Sequence, residues 1–376
     1  MLAAVTPAAA SDVAIRMLLT GDVMTGRGID QIQHQSVDPV LYESYVRSAE
    51  AYAVLAERAN GPIPREVAAA YVWGDVLPLL DRERPWPRIV NLETAITARG
   101  APWPGKAIHY RTHPDNIAIL QAAGIDLAVL ANNHVLDWGS EGLEDTLATL
   151  RRAGIPAPGA GQHLTEATAP VLLESGGVRV RMFAMAGPDS GVPADWTAGR
   201  SAPGVHRIAV LDEASAAVEA ARIRAASEPG EIVIVSIHWG GNWGWRVPEA
   251  HRDFARHLIE QGGVDLVHGH SSHHPMGMEV HRGRLILYGA GDLINDYEGI
   301  SGHEAFRPDL AALYLPALHA DGSLQQLDIV PLRRHRFRLV HAGDDDAAWL
   351  AHMLAGESQG VAVTRTSDRI LVHPEP

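Results

Sequence analysis

Short apolar runs recur along the chain, and each stops abruptly at polar or charged residues. Residues 15–20, 88–94, 127–131, 178–185, 231–238, 264–267 and 284–288 follow this design, the pattern of strands buried in a sheet. Between them lie stretches with helical character. Leu143, Leu147 and Leu150 fall on one face of a helix predicted over 141–150, with Glu141 and Glu144 in its first turn. Residues 211–226 are alanine-rich, and Pro248 opens a helix that Gly262 and Gly263 end. Residues 311–316 and 327–331 read as closing antiparallel strands, and Asp344 to Asp346 cap a last helix. Alternating strands and helices predict an α/β layered domain.

The pattern also divides the chain. Residues 1–13 read as a flexible tail, 14–335 as the main domain with a helical insertion at about 40–80, and 336–376 as a small helix–strand appendage. No apolar run approaches the ~20 residues of a membrane span. The start lacks a basic, apolar secretory signal. A soluble, cytoplasmic protein without a membrane anchor is therefore expected.

Composition narrows the chemistry. The net charge of −14 disfavours nucleic acid as a partner. The absence of cysteine excludes disulfides, thiol catalysis and thiolate–metal sites. Histidine, with 20 copies, is abundant, and several stand just after apolar runs.

Five strand ends carry such residues: Asp22; Asn91 and Glu93; Asn133 and His134; His238; and His270, His273 and His274. Ligands gather outside the carboxyl ends of strands in α/β folds. Histidine, carboxylate and amide oxygen together suit one divalent metal ion, Mn, Fe, Zn or, with more oxygens, Ca. His134 and Asp137 are spaced for the carboxylate to orient the imidazole, and Asp22 could pair with His273 or His274 in the same way. Trp239, Trp243, Arg27 and Asp292 are candidate substrate contacts, with Trp245 completing three tryptophans in seven residues.

The motifs GDVM at Gly21, NLE at Asn91, ANNHVLDWG at Ala131, HWG at His238 and GHSSHHP at Gly269 resemble those of the CapA-like proteins. That family is a branch of the calcineurin-like metallophosphoesterase superfamily. The resemblance covers nearly the whole chain. It implies a four-layer αββα sandwich with a metal site at the strand C-terminal ends. It further implies that Glu93, Asn133, His238 and His270 hold the metal, with Asp22 beside them. Met24 stands where the superfamily usually has the histidine of an Asp-x-His motif, which leaves the other metal position with Asp22 and His273 and favours a single ion.

Three functions follow as expectations. The first is an acid/base enzyme acting on a peptide, in its sharpest form an α-carbon epimerase like those of lasso-peptide biosynthesis. His134, Asp137, Asp22, His273 and His274 would serve as its proton-transfer groups. The second is a metal-dependent phosphoesterase. The third is an accessory role in poly-γ-glutamate or cell-envelope assembly.

Overall fold

The computed structural model describes residues 15–375, so the predicted tail over 1–13 lies outside the described residues. Two sheets form the centre. In the first, the order is Val361–Arg365, Ile370–Pro374, Leu324–His335, Leu310–Leu318, Leu18–Val23, Arg88–Leu92 and Leu127–Val129. The second runs Met278–His281, Arg284–Leu287, Leu266–His270, Glu231–His238, Val178–Ala186 and Val171–Ser175.

The apolar runs are continuous because both faces of the second sheet are covered. Val180, Met182, Ile232, Ile234, Leu266, Leu285 and Leu287 point into one core shared with the first sheet. Their alternates Phe183, Met185, Val233, Val235, Ile237, Val267 and Ile286 face a second cluster. Helices Glu213–Ala226 and Glu249–Gly262 complete that cluster with Ala216, Ala220, Ile223, Phe254 and Leu258. Helices Val76–Glu83, Ala118–Ala122 and Gly139–Ala153 add Leu79, Leu80, Ile119, Leu120, Leu143 and Leu147 to the shared core. The result is the helix–sheet–sheet–helix sandwich that the resemblance implied. Each buried branched or aromatic side chain contributes about 1.5–3 kcal/mol, so a core of this extent needs no disulfide.

Some elements differ from the sequence reading. Met278–His281 is a strand the apolar runs did not reveal; it forms a hairpin with Arg284–Leu287 through Arg282 and Gly283, both at positive φ. The segment beyond 336 is joined to the main sheet, since Ile370–Pro374 pairs with Leu324–His335 and Val361–Arg365 extends the edge. The insertion contains the helix Glu50–Asn60 and a buried Trp73, whose Nε1 donates to the Ile119 carbonyl at 2.8 Å. Among the described residues, no helix is long and apolar enough to cross a membrane.

Strand register positions the site. Parallel pairing sets Asp22 beside Asn91 on one side and Asp292 on the other, while His238 pairs with His270. A register shift between Leu19 and Asp22 bulges the first strand at Thr20 and Gly21. The two sheets are stitched together there, because His268 Nε2 lies 2.7 Å from the Thr20 carbonyl oxygen.

Candidate metal centre

The polar residues at several strand ends lie close together. Asp22, His238 and His270 offer ligand atoms within 4.8 Å of one another, and Asp22, His273 and Asp292 form a second such group. Asp22 is common to both. Glu93 lies against the first group, its Oε1 3.8 Å from His238 Nε2, and Asn133 Oδ1 is 3.1 Å from the same nitrogen.

The donor set fits a cation. His238 Nδ1 and His270 Nδ1 face each other at 2.7 Å. Asp22 Oδ2 and Glu93 Oε2 are buried with no hydrogen-bond partner in the protein. Buried carboxylate oxygens left without partners are costly unless something positive sits among them. Burial pushes Asp22 up to about 7, with the charge of Asp292 adding to it. Burial and the Asp22 charge raise Glu93 well above the usual carboxylate range.

One imidazole tautomer can be deduced. The Thr20 carbonyl only accepts, so His268 Nε2 carries a hydrogen and its Nδ1 is bare. Ser236 therefore donates to His268 Nδ1 at 3.1 Å and accepts from His270 Nε2 at 2.8 Å. His270 is left with its Nδ1 lone pair aimed at the cluster. Burial holds His268 at about 4 and His270 well below the ordinary histidine range, so both stay neutral.

A second wall carries the acid/base group. His134 Nδ1 is 2.6 Å from Asp137 Oδ2, and its Nε2 looks toward Glu93 Oε1 at 3.7 Å. Asn132 braces the turn by bonding Asn91, the Leu92 carbonyl and the His134 backbone nitrogen. Burial lowers His134 to about 4 despite the opposing pull of Asp137. Lys106 reaches in from the preceding loop, hydrogen-bonded to Asp137, with Nζ 3.0 Å from His134 Nδ1. Tyr110 packs edge-on against His134 and Tyr297 against His273, and the two tyrosine hydroxyls meet at 3.1 Å. Tyr297 also touches Met24 Sδ, in the place of the missing histidine.

Several expectations change. Asp292, not Asp22, is the partner of His273, at 2.9 Å, and Asn295 holds its other oxygen at 2.7 Å. Asp292 therefore belongs to the ligand cluster, where the sequence reading had only Asp22 and His273. His273 faces the site, while His274 turns away, its Nδ1 at the Pro275 carbonyl and its ring against Trp245 and Phe306. Trp239 is core, stacked on His251 with its Nε1 donating to the Tyr288 carbonyl. Arg27 is consumed internally by Asp296, Glu43 and the Tyr52 hydroxyl. Trp243 stays half-buried at the rim, stacked on His303 and 5.5 Å from the His273 ring.

Lys106, Ser236, His268, Tyr110 and Tyr297 were not anticipated. Two signals were available. Ser236 and His268 precede His238 and His270 by two positions, hence share their face. Lys106 is the only lysine in the chain.

Residues 16–297 match the family model described as bacterial capsule synthesis protein PGA_cap. The chain belongs to this family. A PGA_cap relative from Mycobacterium tuberculosis, named "Probable polyglutamine synthesis accessory protein", is 44% identical over 362 residues, 95% of each chain. The "PGA biosynthesis protein CapA" of Bacillus subtilis is 25% identical over 288 residues, 76% of this PGA_cap chain and 64% of that protein. A solved structure described as a novel phosphatase from Mycoplasma pneumoniae covers 96% of this chain and 95% of that one, at 11% identity and a TM-score of 0.40. At that distance the fold description rests on the topology above.

Proposed function

We propose that this chain is an accessory protein of glutamyl-polymer synthesis at the bacterial envelope, and that its cluster works there as a metal-dependent acid/base site. The family and the name of the mycobacterial relative support the biological setting. The observation that carries the chemistry is the position of Asp22, shared by two groups of buried ligands and left with an unpartnered oxygen. Glu93, Asn133, His238 and His270 would hold a divalent ion, with Asp22, His273 and Asp292 as a second group beside it. A bound ion would supply Lewis acidity, stabilising negative charge that develops on a substrate oxygen. His134 then acts as the proton-transfer group through Nε2, its ring fixed by Asp137. Trp243 forms an aromatic rim over which a chain-like substrate can lie. Hydrolysis at a phosphoester or related bond is the reaction this set performs most directly.

The test is deletion of the protein in its host, followed by complementation with Asp22→Asn and His238→Ala. Loss of glutamyl polymer on deletion, not restored by either variant, is the expected result. Unchanged polymer after deletion removes the setting, and full rescue by both variants removes the catalytic role.

A second reading, epimerisation of a peptide α-carbon, draws on one observation. Two imidazole–carboxylate pairs, His134 with Asp137 and His273 with Asp292, stand on separate walls of the cluster. Deuterium uptake from heavy water into an intact peptide would favour it. The family relationship weighs toward the polymer role.

A further inference from the structure

Two tyrosines span the gap between the walls of the cluster. The Tyr110 ring packs edge-on against His134, with centroids 4.6 Å apart, and the Tyr297 ring packs edge-on against His273 at 5.3 Å. Their hydroxyl oxygens meet at 3.1 Å. Tyr110 is buried, and Tyr297 is half-buried. Among the described residues the Tyr110 hydroxyl meets only that of Tyr297, while the Tyr297 hydroxyl also meets Met24 Sδ at 3.8 Å.

Counting hydrogens orders the pair. Each phenol has one hydrogen to give. Both find an acceptor only if Tyr110 donates to Tyr297 and Tyr297 turns its own hydrogen to the sulfur. A thioether is a weak acceptor. A bare imidazole nitrogen in place of Met24 would hold that hydrogen firmly, whereas the sulfur leaves it for an oxygen that comes close.

The donor is also held in place. Asn295 bonds Asp292 through Nδ2 at 2.7 Å and accepts the Tyr297 backbone N–H on Oδ1 at 3.1 Å, so Tyr297 is registered to the ligand group. Asp296, the residue before it, receives the Gly28 backbone N–H at 2.9 Å and the Arg27 guanidinium. That guanidinium lies 4.4 Å from the Tyr110 ring centre and 5.7 Å from that of Tyr297. A cation over a phenol ring draws electron density from it and strengthens its hydroxyl as a donor. Arg27 thus supports the tyrosines from behind.

We propose that Tyr297 is a catalytic residue of the site: its hydroxyl donates a hydrogen bond to a substrate oxygen held at the ligand cluster, where negative charge gathers during the reaction. Tyr110 is its positioning residue, because the hydrogen it gives turns the Tyr297 hydrogen away from the pair. A donor fixed in advance stabilises developing charge without having to reorganise. The inference rests on reading the cluster as a hydrolytic site for a phosphoester or related bond, and adds a group that touches the substrate oxygen.

Inorganic phosphate is the probe, titrated by calorimetry into the wild type, Tyr297→Phe and Tyr110→Phe, each purified without chelator. Both variants lose the same hydroxyl–hydroxyl contact, but only Tyr297→Phe removes the donor. Tyr297→Phe should bind phosphate about 10–100-fold more weakly, the scale of one hydrogen bond to a charged group. Tyr110→Phe should lose much less, and metal content by elemental analysis should be the same in all three. Equal losses in the two variants overturn the proposal. Metal lost from Tyr297→Phe also overturns it, since the residue then supports the ligands rather than the substrate. If Tyr297→Phe fails to fold, tyrosine labelled with 13C at Cζ at position 297 alone decides: its resonance should move when phosphate is added to the otherwise wild-type protein, and a fixed resonance overturns the proposal. Phosphate that binds no form removes this inference together with the phosphoester reading, whereas binding left intact by Tyr297→Phe removes the inference alone.

Discussion

Gly21 and Gly291 approach so closely that a Cβ on Gly21 would stand 1.6 Å from the Gly291 carbonyl oxygen. The same carbonyl accepts the Asp22 backbone N–H at 2.9 Å. This contact draws Asp292 alongside Asp22 and so builds the shared ligand group. Gly21→Ala should cost about 3 kcal/mol or more, the upper range for forcing atoms into a packed interior. Thermal melting reads this as a large drop in Tm, and an unchanged melting curve would show that the strands separate at little cost.

Asp22 belongs to both ligand groups, whereas His274 belongs to neither. Asp22→Asn removes a negative charge from each group and should strip bound metal from protein purified without chelator. His274→Ala should retain it. Elemental analysis of the two variants checks the assignment, and equal metal content in both would refute it.

Ser236 offers no ligand atom to either group, yet it bonds His270 and relays the hydrogen-bond direction to it from His268. Partners that orient a ligating histidine are typically worth about 10–100-fold in metal affinity. Ser236→Ala should weaken metal binding by that factor in competition with a chromogenic chelator. Wild-type affinity would mean that His270 finds its tautomer without help.

Acid should destabilise the fold in a defined window. Burial holds His134, His268 and His274 at about 4, against 6.5 for the free side chain, and keeps His238 and His270 well below 6.5. Each stays neutral in the folded chain and gains a proton on unfolding. The unfolded state therefore binds more protons, and stability falls as pH drops from 6.5 toward about 4. Burial also disfavours the charged form of His273, but Asp292 outweighs it and raises the group, so its stabilisation is lost only as pH rises. Asp22 and Glu93, raised by burial, take up protons in the folded state and act in the opposite sense, so urea unfolding should lose about 1.4 kcal/mol per pH unit for each neutral histidine in excess of them. A flat profile from about pH 7 to about pH 5 would place those imidazoles in contact with solvent.

Local residues announced the site's outline, because apolar runs ending in Asp22, Glu93, Asn133, His238 and His270 mark buried strands with polar ends. Long-range pairing did not show. Asp292 joins the cluster only because its strand, Asp292–Ile294, lies parallel to Leu18–Val23, far away in sequence. Choosing between His273 and His274 depended on a positive φ at Ser271, which turns the following residues in a way that spacing does not reveal. Trp239 and Trp243 have the same composition and nearby positions, yet one lies at a strand end facing the helices and the other on the rim. The C-terminal strands were half visible: the strand near His373 was legible, but its pairing with Leu327 to Ile329 was not.

The bond from His268 to the Thr20 carbonyl joins the two sheets at their seam. A carbonyl has no hydrogen to give, so the main chain of one sheet dictates which lone pair a histidine of the other presents. The seam is thus a kind of polarity reference for the whole cluster. Pressure or heat that parts the sheets slightly at Thr20 would free His268 to turn over. The ligand geometry would then be lost while helices, strands and most of the core were still in place.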